Sequence, residues 1–288
     1  MSRIAYVNGR YVPQRDASVN VEDRGYQFAD GIYEVVHLYR GRFIDSDRHL
    51  TRLERSLGEV RIAMPMSRAA LSHVLTEVAR RNRVQDGLLY MQVTRGVARR
   101  DHAFPVHAVA PAIVVTVRRI PPYPTDVDRW TARAITYPDQ RWARCDIKST
   151  GLLPNVLARQ AAWEQGAAEA ILIDSNGMVT EGAATSFWIV DAEGRLRTRH
   201  LDQSILPGCT RGALLAIMQD AGVAFEERAF SEAEMRSARE AFLTSATSFV
   251  KPIVAIDGQP VGDGRVGPIT RQLFSLFARH VHGMSNAA

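Results

Sequence analysis

The stretch Arg144-Cys145-Asp146-Ile147-Lys148-Ser149-Thr150 contains one of only two lysines in the chain. The other lysine is Lys251, so the remaining 34 of the 36 basic residues are arginine. Arginine stays protonated in proteins and does not act as an amine nucleophile, whereas lysine does. If the protein performs amine chemistry, Lys148 or Lys251 must supply the amine. The alternative is that both lysines are solvated surface charges, the commonest situation for this residue type.

The composition of the chain is that of an ordinary globular protein. Its 288 residues are 46% hydrophobic and 23% charged, enough for one large domain or two medium ones. Two cysteines make no disulfide framework, which fits a reducing, cytoplasmic setting. No apolar run resembles a signal peptide or spans a bilayer, so no membrane association is expected. The basic residues behind the net charge of +5 are scattered among acids, which argues against a nucleic-acid partner.

The first part of the chain predicts a hairpin, three further strands and two helices. Asn8-Gly9 between apolar runs is the strongest short hairpin signal. Apolar residues at three- and four-residue steps then predict two helices, the first capped by Asp47 and the second by Ser67. The apolar, β-branched runs that predict strands are 31–39, 88–94 and 112–117.

The best domain boundary is the stretch Ile120-Pro121-Pro122-Tyr123-Pro124, because three prolines in four residues continue neither a helix nor a central strand. It predicts a smaller N-terminal α/β domain at 1–119, a linker at 120–127 and a larger C-terminal domain at 128–288. Beyond the linker, the pattern predicts strands at 130–137, 168–173, 186–190, 196–198, 241–244 and 253–256, and helices at 153–165, at 210–220 and from Pro268 onward. These elements indicate two mixed α/β domains with meander-rich sheets.

Two stretches of the second half have features of phosphate sites. In Ser204-Ile205-Leu206-Pro207-Gly208-Cys209-Thr210-Arg211, a glycine and a hydroxyl come at the start of a helix, where free amides bind anions. Thr244-Ser245-Ala246-Thr247-Ser248 follows a strand and offers several hydroxyls. Each stretch also has an ordinary interpretation, as a helix cap and as a Ser/Thr turn.

Two further features have both a functional and an ordinary interpretation. Glu181 is either an exposed carboxylate or the partner of a protonated ring nitrogen, which lets a pyridine accept electrons from a carbanion. The stretch 93–102 is either a solvated basic loop or a set of donors that binds a carboxylate. The chain has no G-x-S-x-G elbow, Rossmann fingerprint, Walker loop or H-E-x-x-H motif, and no metal site is expected.

Seven stretches match one known family in chain order. They are Glu22-Asp23-Arg24-Gly25-Tyr26-Gln27-Phe28-Ala29-Asp30-Gly31-Ile32-Tyr33-Glu34-Val35-Val36, His49-Leu50-Thr51-Arg52-Leu53, Gln92-Val93-Thr94-Arg95-Gly96, Arg100-Asp101-His102-Ala103-Phe104-Pro105, Arg144-Cys145-Asp146-Ile147-Lys148-Ser149, Val179-Thr180-Glu181-Gly182, and 205–211. Together they resemble the class IV (fold type IV) pyridoxal-phosphate-dependent aminotransferases, and within that family most closely the D-amino-acid aminotransferases. The resemblance covers nearly the whole chain, and the ordered series of matches makes it specific.

The resemblance implies an α/β (α+β) enzyme of fold type IV, with two mixed α/β domains and a pyridoxal 5′-phosphate site between them. It implies that Lys148 binds the cofactor as a Schiff base and then moves the α-proton of the substrate. Glu181 is implied as the partner of the pyridine nitrogen, and Leu206 as the side chain packed against the ring.

The resemblance also implies how the cofactor phosphate is held. Arg52 matches the phosphate-binding arginine of the family. Cys209 and Thr210 supply backbone amides and a hydroxyl at the helix start, with Ser245 or Ala246 opposite. Ala246 lacks the hydroxyl usual at its position, which removes a hydrogen bond worth about 1 kcal/mol.

For the substrate, the resemblance implies a pocket lined by Tyr33 and a pair, Arg100 and His102, that holds the α-carboxylate across the interface of a homodimer. The implied reaction is a ping-pong exchange of an amino group between D-amino acids, such as D-alanine or D-glutamate, and 2-oxo acids. Three alternatives share the fold: a branched-chain L-amino-acid aminotransferase, an R-selective amine transaminase and an aminodeoxychorismate lyase. Further departures from the family pattern are Ser186, where the class has asparagine, the run 183–185 and Cys209.

Overall fold

The computed structural model describes residues 3–283, which form two compact units. The first unit runs to Pro122 and also includes Ile147–Gly151, and the second comprises Tyr123–Asp146 and the chain from Leu152 onward. The change of unit after Pro122 falls inside the proline-rich stretch. The sequence-based division assigned all of 128–288 to the C-terminal domain, whereas the five residues around Lys148 cluster with the N-terminal unit.

The N-terminal unit is a six-stranded antiparallel sheet with helices packed on it. The sheet order is β2-β1-β6-β5-β3-β4, α2 packs against β3, and α3 packs against β1 and β6. The elements are β1 (Ile4–Val7), β2 (Arg10–Pro13), a 3-10 turn (Gln14–Asp16), α1 (Arg24–Phe28), β3 (Gly31–Tyr39), β4 (Arg42–Phe43), α2 (Ser46–Glu59), α3 (Arg68–Arg81), β5 (Gly87–Thr94) and β6 (Ala112–Arg119).

The hairpin predicted at Asn8-Gly9 is confirmed. Both residues have positive φ, 47° and 91°, the backbone that two-residue hairpin turns require. The turn is tied to β6, because Ile113 N donates to the Asn8 side chain at 2.7 Å and Asn8 N donates to Ile113 O at 3.0 Å.

The two helices of this unit are confirmed, but one cap is not. Ser67 caps α3 by accepting a hydrogen bond from Ala70 N. Asp47 was predicted to cap α2, and this was wrong: the N-cap is Asp45, and Asp47 lies in the first helical turn. The helix begins earlier because Asp45, at φ 52°, turns the chain sharply soon after β4. The apolar face of α2 nevertheless buries Leu50, Leu53 and Leu57 as its spacing predicts.

The segment Ile147–Gly151 completes the edge of the N-terminal sheet. β4 pairs only with the last two residues of β3, so the beginning of β3 has an open edge on that side. Tyr33 N donates to Lys148 O at 3.1 Å, Thr150 N donates to Gly31 O at 3.0 Å, and Ser149 forms a bridge with Ile32. Backbone pairing with β3 therefore fixes the position of Lys148.

The C-terminal unit is a nine-stranded mixed sheet with four helices. The order is β12-β11-β10-β13-β14-β7-β8-β9, and β15 pairs with β14. β12, β14 and β8 each run parallel to a neighbour, and the other pairs are antiparallel. The elements are a 3-10 turn (Asp128–Trp130), β7 (Ala132–Pro138), α4 (Leu153–Glu164), β8 (Glu169–Ile173), β9 (Val179–Gly182), β10 (Ser186–Val190), β11 (Leu196–Thr198), α5 (Cys209–Asp220), β12 (Glu226–Glu227), α6 (Glu232–Arg236), β13 (Glu240–Ser245), β14 (Phe249–Ile256), β15 (Gln259–Pro260) and α7 (Pro268–His282).

The longer elements of this unit agree with the sequence pattern, and the short ones α6, β12 and β15 were not predicted. α5 ends at Asp220 and is followed by Gly222 at φ 66°, as the predicted glycine cap requires. Tyr123 is buried at the start of the unit, against Phe249 and Phe274. Within residues 3–283, no helix is both long and apolar enough to cross a membrane.

Candidate active site

Lys148 lies beside Tyr33, so the structure brings together two of the predicted site residues. The Lys148 Nζ atom is 3.2 Å from the Tyr33 hydroxyl and 4.2 Å from the centre of its ring. Tyr33 stacks on Tyr90, whose ring centre is 5.7 Å away. Burial raises the pKa of Tyr90 to about 12, so its phenol stays protonated and neutral. The lysine amine thus faces a phenolic hydroxyl that is held in place by strand pairing and ring stacking.

Arg52 is buried in a cluster of charged side chains on the same unit. Its Nε and Nη2 atoms donate to the two oxygens of Glu34 at 2.7 and 2.9 Å, and His49 Nδ1 lies 2.7 Å from Glu34 Oε2. Burial by itself would raise the pKa of Glu34, but the charge and hydrogen bonds of Arg52 outweigh it, with help from His49, and bring the pKa to about 2. The ionised carboxylate fixes the orientation of the Arg52 guanidinium.

Arg100 and His102 lie on the loop between β5 and β6, residues 95–111, hereafter the β5–β6 loop. Both side chains are exposed, and both contact Phe28 of α1. The Arg100 guanidinium carbon is 4.5 Å from the centre of the Phe28 ring, and the His102 ring centre is 5.4 Å from it. The predicted carboxylate-binding pair is therefore displayed together on one aromatic side chain.

Glu181 is buried in β9 of the C-terminal unit, within a network of polar side chains. Its Oε1 atom accepts from Arg141 Nη1 at 2.5 Å and from Leu206 N at 3.1 Å. Arg141 also donates two hydrogen bonds to Asp139, which accepts a further one from Thr180. Burial would lower the pKa of Arg141, but Asp139 and Glu181 raise it, so the arginine stays charged and holds Glu181 in its ionised form.

The start of α5 offers backbone amides, as the sequence predicts. Its N-cap is Gly208, which has no side chain to cap the first turn, and Cys209 and Thr210 follow it in buried positions. A β-carbon on Gly208 would come within 2.7 Å of the Ser186 hydroxyl oxygen. Glycine is needed here because β10, which carries Ser186, approaches too closely for a side chain.

The turn between β13 and β14 carries the other predicted phosphate ligands, Ser245 and Ala246. The Ser245 hydroxyl lies 2.9 Å from the Thr247 hydroxyl and 2.8 Å from that of Ser248, and it accepts from Ser248 N at 3.2 Å. The turn is thus a cluster of three hydroxyls. The methyl side chain of Ala246 adds none.

Lys251, the second lysine, has a different environment. It lies in β14, and its Nζ atom is 4.1 Å from the centre of the Trp130 ring. Burial lowers its pKa, with a smaller contribution from Arg159. Contact with an aromatic face and partial burial account for this lysine as a packed residue of the sheet.

Sequence reasoning missed four polar residues of these clusters: Glu34, His49, Asp139 and Arg141. Glu34 had a usable signal, because it is a charged residue at a fully buried position of an otherwise apolar strand. Asp139 and Arg141 had none, since their partner Glu181 is about 40 residues further along the chain. In residues 3–283, no group of His, Cys, Asp or Glu side chains has the arrangement of a metal site.

Comparison with known proteins relates this chain to one family. The family described as amino-transferase class IV matches residues 31–256. The D-alanine aminotransferase of Staphylococcus haemolyticus is 37% identical over 98% of this chain and 99% of its own length. Those of Listeria innocua and Bacillus licheniformis are both 40% identical, over 96% and 92% of this chain and 95% and 93% of their own lengths.

Solved structures show the same fold. The branched-chain amino acid aminotransferase of Escherichia coli superposes with a TM-score of 0.88 at 22% identity, over 99% of this chain and 97% of its own. The T.th. branched-chain amino acid aminotransferase, solved with pyridoxamine 5′-phosphate, gives a TM-score of 0.89 at 24% identity, over 99% and 96%. The predicted fold class, fold type IV with mixed helices and sheets, is confirmed by these likenesses.

Proposed function

The chain belongs to the class IV aminotransferases, whose cofactor is pyridoxal 5′-phosphate, and on that premise we propose that it exchanges amino groups between D-amino acids and 2-oxo acids in a ping-pong cycle. One observation carries the amine chemistry: Lys148 Nζ lies 3.2 Å from the Tyr33 hydroxyl, at a position fixed by backbone pairing with β3. The choice of D-amino acids, such as D-alanine and D-glutamate, is supported by relatives named D-alanine aminotransferase at 37–40% identity.

The donor groups of the chain fit such a cofactor. An amine, a buried carboxylate and phosphate donors are the three kinds of group that the aldehyde, ring nitrogen and phosphate of pyridoxal phosphate need. The first turn of α5 supports this fit, because Gly208 leaves its amides without a side-chain cap. We assign the phosphate to Arg52, to Cys209 and Thr210, and to the turn that carries Ser245 and Ala246.

In this mechanism Lys148 first binds the cofactor covalently through Nζ and then serves as the proton carrier. When bound, the cofactor supplies an electron sink for the negative charge that develops at the α-carbon of the substrate. Lys148 Nζ removes the α-proton and returns it one step later. The Tyr33 hydroxyl keeps the amine within reach through its hydrogen bond and lines the substrate pocket.

Glu181 holds the charge of the ring nitrogen. Arg141 and the Leu206 amide both donate to its Oε1 atom, so the carboxylate is ionised and has a fixed direction. A carboxylate in that state keeps a pyridine nitrogen protonated, which strengthens the electron sink. The Leu206 side chain packs against the ring in the same assignment.

Arg100 and His102 bind the α-carboxylate of the substrate. Charge-assisted hydrogen bonds from a guanidinium and an imidazole are well suited to a carboxylate. By fixing the carboxylate, the pair also fixes which face of the α-carbon meets the Lys148 amine, and therefore the handedness of the substrate.

We further assign the chain to a cytoplasmic homodimer. On α4, the large apolar side chains of Leu153, Val156, Leu157 and Trp163 are exposed at helical spacing, with Trp163 at 72%. A stripe of this kind on a helix marks an interaction surface. The cysteines Cys145 and Cys209 are both free thiols, in keeping with a reducing compartment.

Borohydride reduction followed by peptide mapping tests the amine chemistry. We expect a yellow protein whose reduced pyridoxyl adduct is on Lys148. An adduct on Lys251, or on neither lysine, would contradict the assignment.

A substrate panel tests the substrate class. D-alanine, L-leucine and an R-amine are each offered with 2-oxoglutarate, and aminodeoxychorismate is offered alone. We expect D-alanine to give the highest kcat/KM. The structures of branched-chain enzymes resemble this chain only at the level of the fold, so L-leucine serves as the competing substrate. A higher kcat/KM for any other member of the panel would replace the proposed substrate class.

A further inference from the structure

The segment from Glu22 to Asp30 matches the family in sequence but has no role in the chemistry above. It forms α1, whose first turn is capped by the Asp23 side chain through Gly25 N at 2.8 Å. The same Asp23 side chain accepts from the Thr94 hydroxyl at 2.8 Å, which ties α1 to the end of β5. The helix therefore stands where the β5–β6 loop begins.

The β5–β6 loop needs such an anchor because its own side chains provide almost none. Every residue from 97 to 110 is exposed or only partly buried. Loops of this length without secondary structure are uncommon and are usually functional. At its start, the loop is held by backbone contacts with α1: Arg24 N donates to Gly96 O, and Asp23 forms a bridge with Val97.

Arg24 holds the part of the loop that carries the proposed substrate ligands. Its side chain is only 2% exposed. Nη1 donates to Asp101 O at 2.6 Å and to Ala103 O at 3.3 Å, and Nη2 lies 3.5 Å from His102 O. Nε donates to the Asp30 carboxylate at 2.8 Å, which offsets the cost of burying the charge. One guanidinium thus binds three successive carbonyl groups of the loop.

Phe28, on the next turn of α1, holds the side chains of the same loop. Its ring centre lies 4.8 Å from the guanidinium carbon of Arg24 and 4.5 Å from that of Arg100, and the ring of His102 is 5.4 Å away. Contacts between cations and an aromatic face orient a long arginine side chain that would otherwise sample many rotamers.

We propose that Arg24 and Phe28 are positioning residues for substrate recognition: Arg24 fixes the backbone of the loop at 101–103, and Phe28 fixes the side chains of Arg100 and His102, so that the pair meets a carboxylate. The proposal rests on the proposed function, because it assigns α1 to the recognition of the substrate carboxylate. Neither residue touches the reacting atoms in this account. The planar fork of arginine is essential, since a lysine is a point charge and does not serve Asp30 and three carbonyls together.

The variant Arg24→Lys tests the proposal, because it keeps the charge and the ion pair with Asp30. We expect the KM values for D-alanine and 2-oxoglutarate, which both carry an α-carboxylate, to rise by about 10- to 100-fold, the scale of misplaced binding groups. We expect kcat at saturating substrate to change much less, since Lys148 and Glu181 are untouched. Amide hydrogen exchange of the peptide covering 97–106 should become about tenfold faster, as expected when a charge-assisted hydrogen bond is lost.

A double-mutant cycle with Arg100→Ala separates positioning from general damage. If Arg24 acts through Arg100 and His102, Arg24→Lys adds less to the change in KM in the Arg100→Ala background than in the wild type. Val78→Ala, a lesion in the buried core of α3, is the control: it should lower the thermal midpoint and leave KM unchanged. All variants are compared at the same oligomeric state, checked by light scattering.

An unchanged KM in Arg24→Lys, or full additivity in the cycle, would overturn the proposal. If Arg24→Lys does not fold, Phe28→Leu carries the test, with the same direction and a smaller rise in KM. Failure of the proposed function has a different signature: the wild type would then not transaminate D-alanine at all, whereas hydrogen exchange would still show whether Arg24 anchors the loop.

Discussion

Glu34 is a fully buried carboxylate whose two oxygens are bound by Arg52 and His49. A charge in this position costs free energy unless its partners are as well placed as they are here. An ionised carboxylate only accepts hydrogen bonds, so His49 Nδ1 carries the proton. The cluster therefore keeps the guanidinium of Arg52 in one orientation, as a proposed ligand of the phosphate requires.

The pKa of Glu34 gives a prediction about acid stability. The folded-state pKa is about 2, against an ordinary value of 4.5, so the carboxylate stabilises the fold fully above pH 4.5 and this contribution is lost as the pH falls toward 2. We expect Glu34→Gln to lower the free energy of unfolding at pH 7 by on the order of 3 kcal/mol. The difference from wild type should shrink as the pH falls from 4.5 to 2, as measured by urea unfolding across that range.

A matched control for Glu34→Gln is Glu54→Gln. Glu54 forms an ion pair with Arg68 in the same unit, but both side chains are about 40% exposed. Exposed pairs contribute roughly 0–1 kcal/mol, so this control should change stability little at any pH. A difference between Glu34→Gln and wild type that stays constant from pH 7 to pH 3 would contradict the assigned pKa.

At the residue scale, the sequence predicted groups that stand out by type and missed groups defined by distant partners. Lys148 stood out because lysine is so rare in the chain. Arg141 is one of 34 arginines, and only its contact with Glu181, 40 positions away, distinguishes it. Patterns of local spacing contain no information about such pairs, which form only when the strands assemble.

Among the elements, α5 allows a direct test of the phosphate assignment. A methyl group on Gly208 would come within 2.7 Å of the Ser186 hydroxyl and 3.3 Å of the Arg211 side chain. We expect Gly208→Ala to push the first turn of α5 out of place and to weaken binding of pyridoxal phosphate to the apoenzyme by about tenfold or more. Fluorescence titration of the apoenzyme measures this change.

The variant Ser186→Ala provides the matched rescue. It removes the oxygen that the new methyl group would meet, so Gly208→Ala combined with Ser186→Ala should recover most of the lost affinity. Equal loss of affinity in the single and double variants would show that the contact between β10 and α5 does not control the phosphate site.

The elements that the sequence missed are short. α1 and α6 have five residues each, too few for a repeating apolar pattern. α6 nevertheless had a local signal, because Ser231 and Glu234 form a capping box. α1 had only Asp23 as a cap, and its importance comes from what Arg24 binds, which the sequence alone does not show.

At the scale of the whole molecule, the chain leaves the C-terminal unit for the five residues Ile147–Gly151 and then returns to it. A change of composition marks the boundary at the proline-rich stretch, but five residues are too few to show such a change. As a result, the proposed cofactor ligands are divided between the units: Lys148 and Arg52 belong to the first, and Glu181, Thr210 and Ser245 belong to the second.

The exposed apolar stripe of α4 leads to a prediction about assembly. If the stripe is part of a dimer interface, Val156→Glu combined with Trp163→Glu places two charges where apolar surface would be buried. We expect the wild type to sediment at twice the mass of one chain and the double variant to dissociate at least about 100-fold more readily, since buried tryptophans often dominate interfaces. His73→Glu, at an exposed position of α3, is the control and should leave sedimentation unchanged. A double variant that remains as dimeric as the wild type would place the interface elsewhere on the molecule.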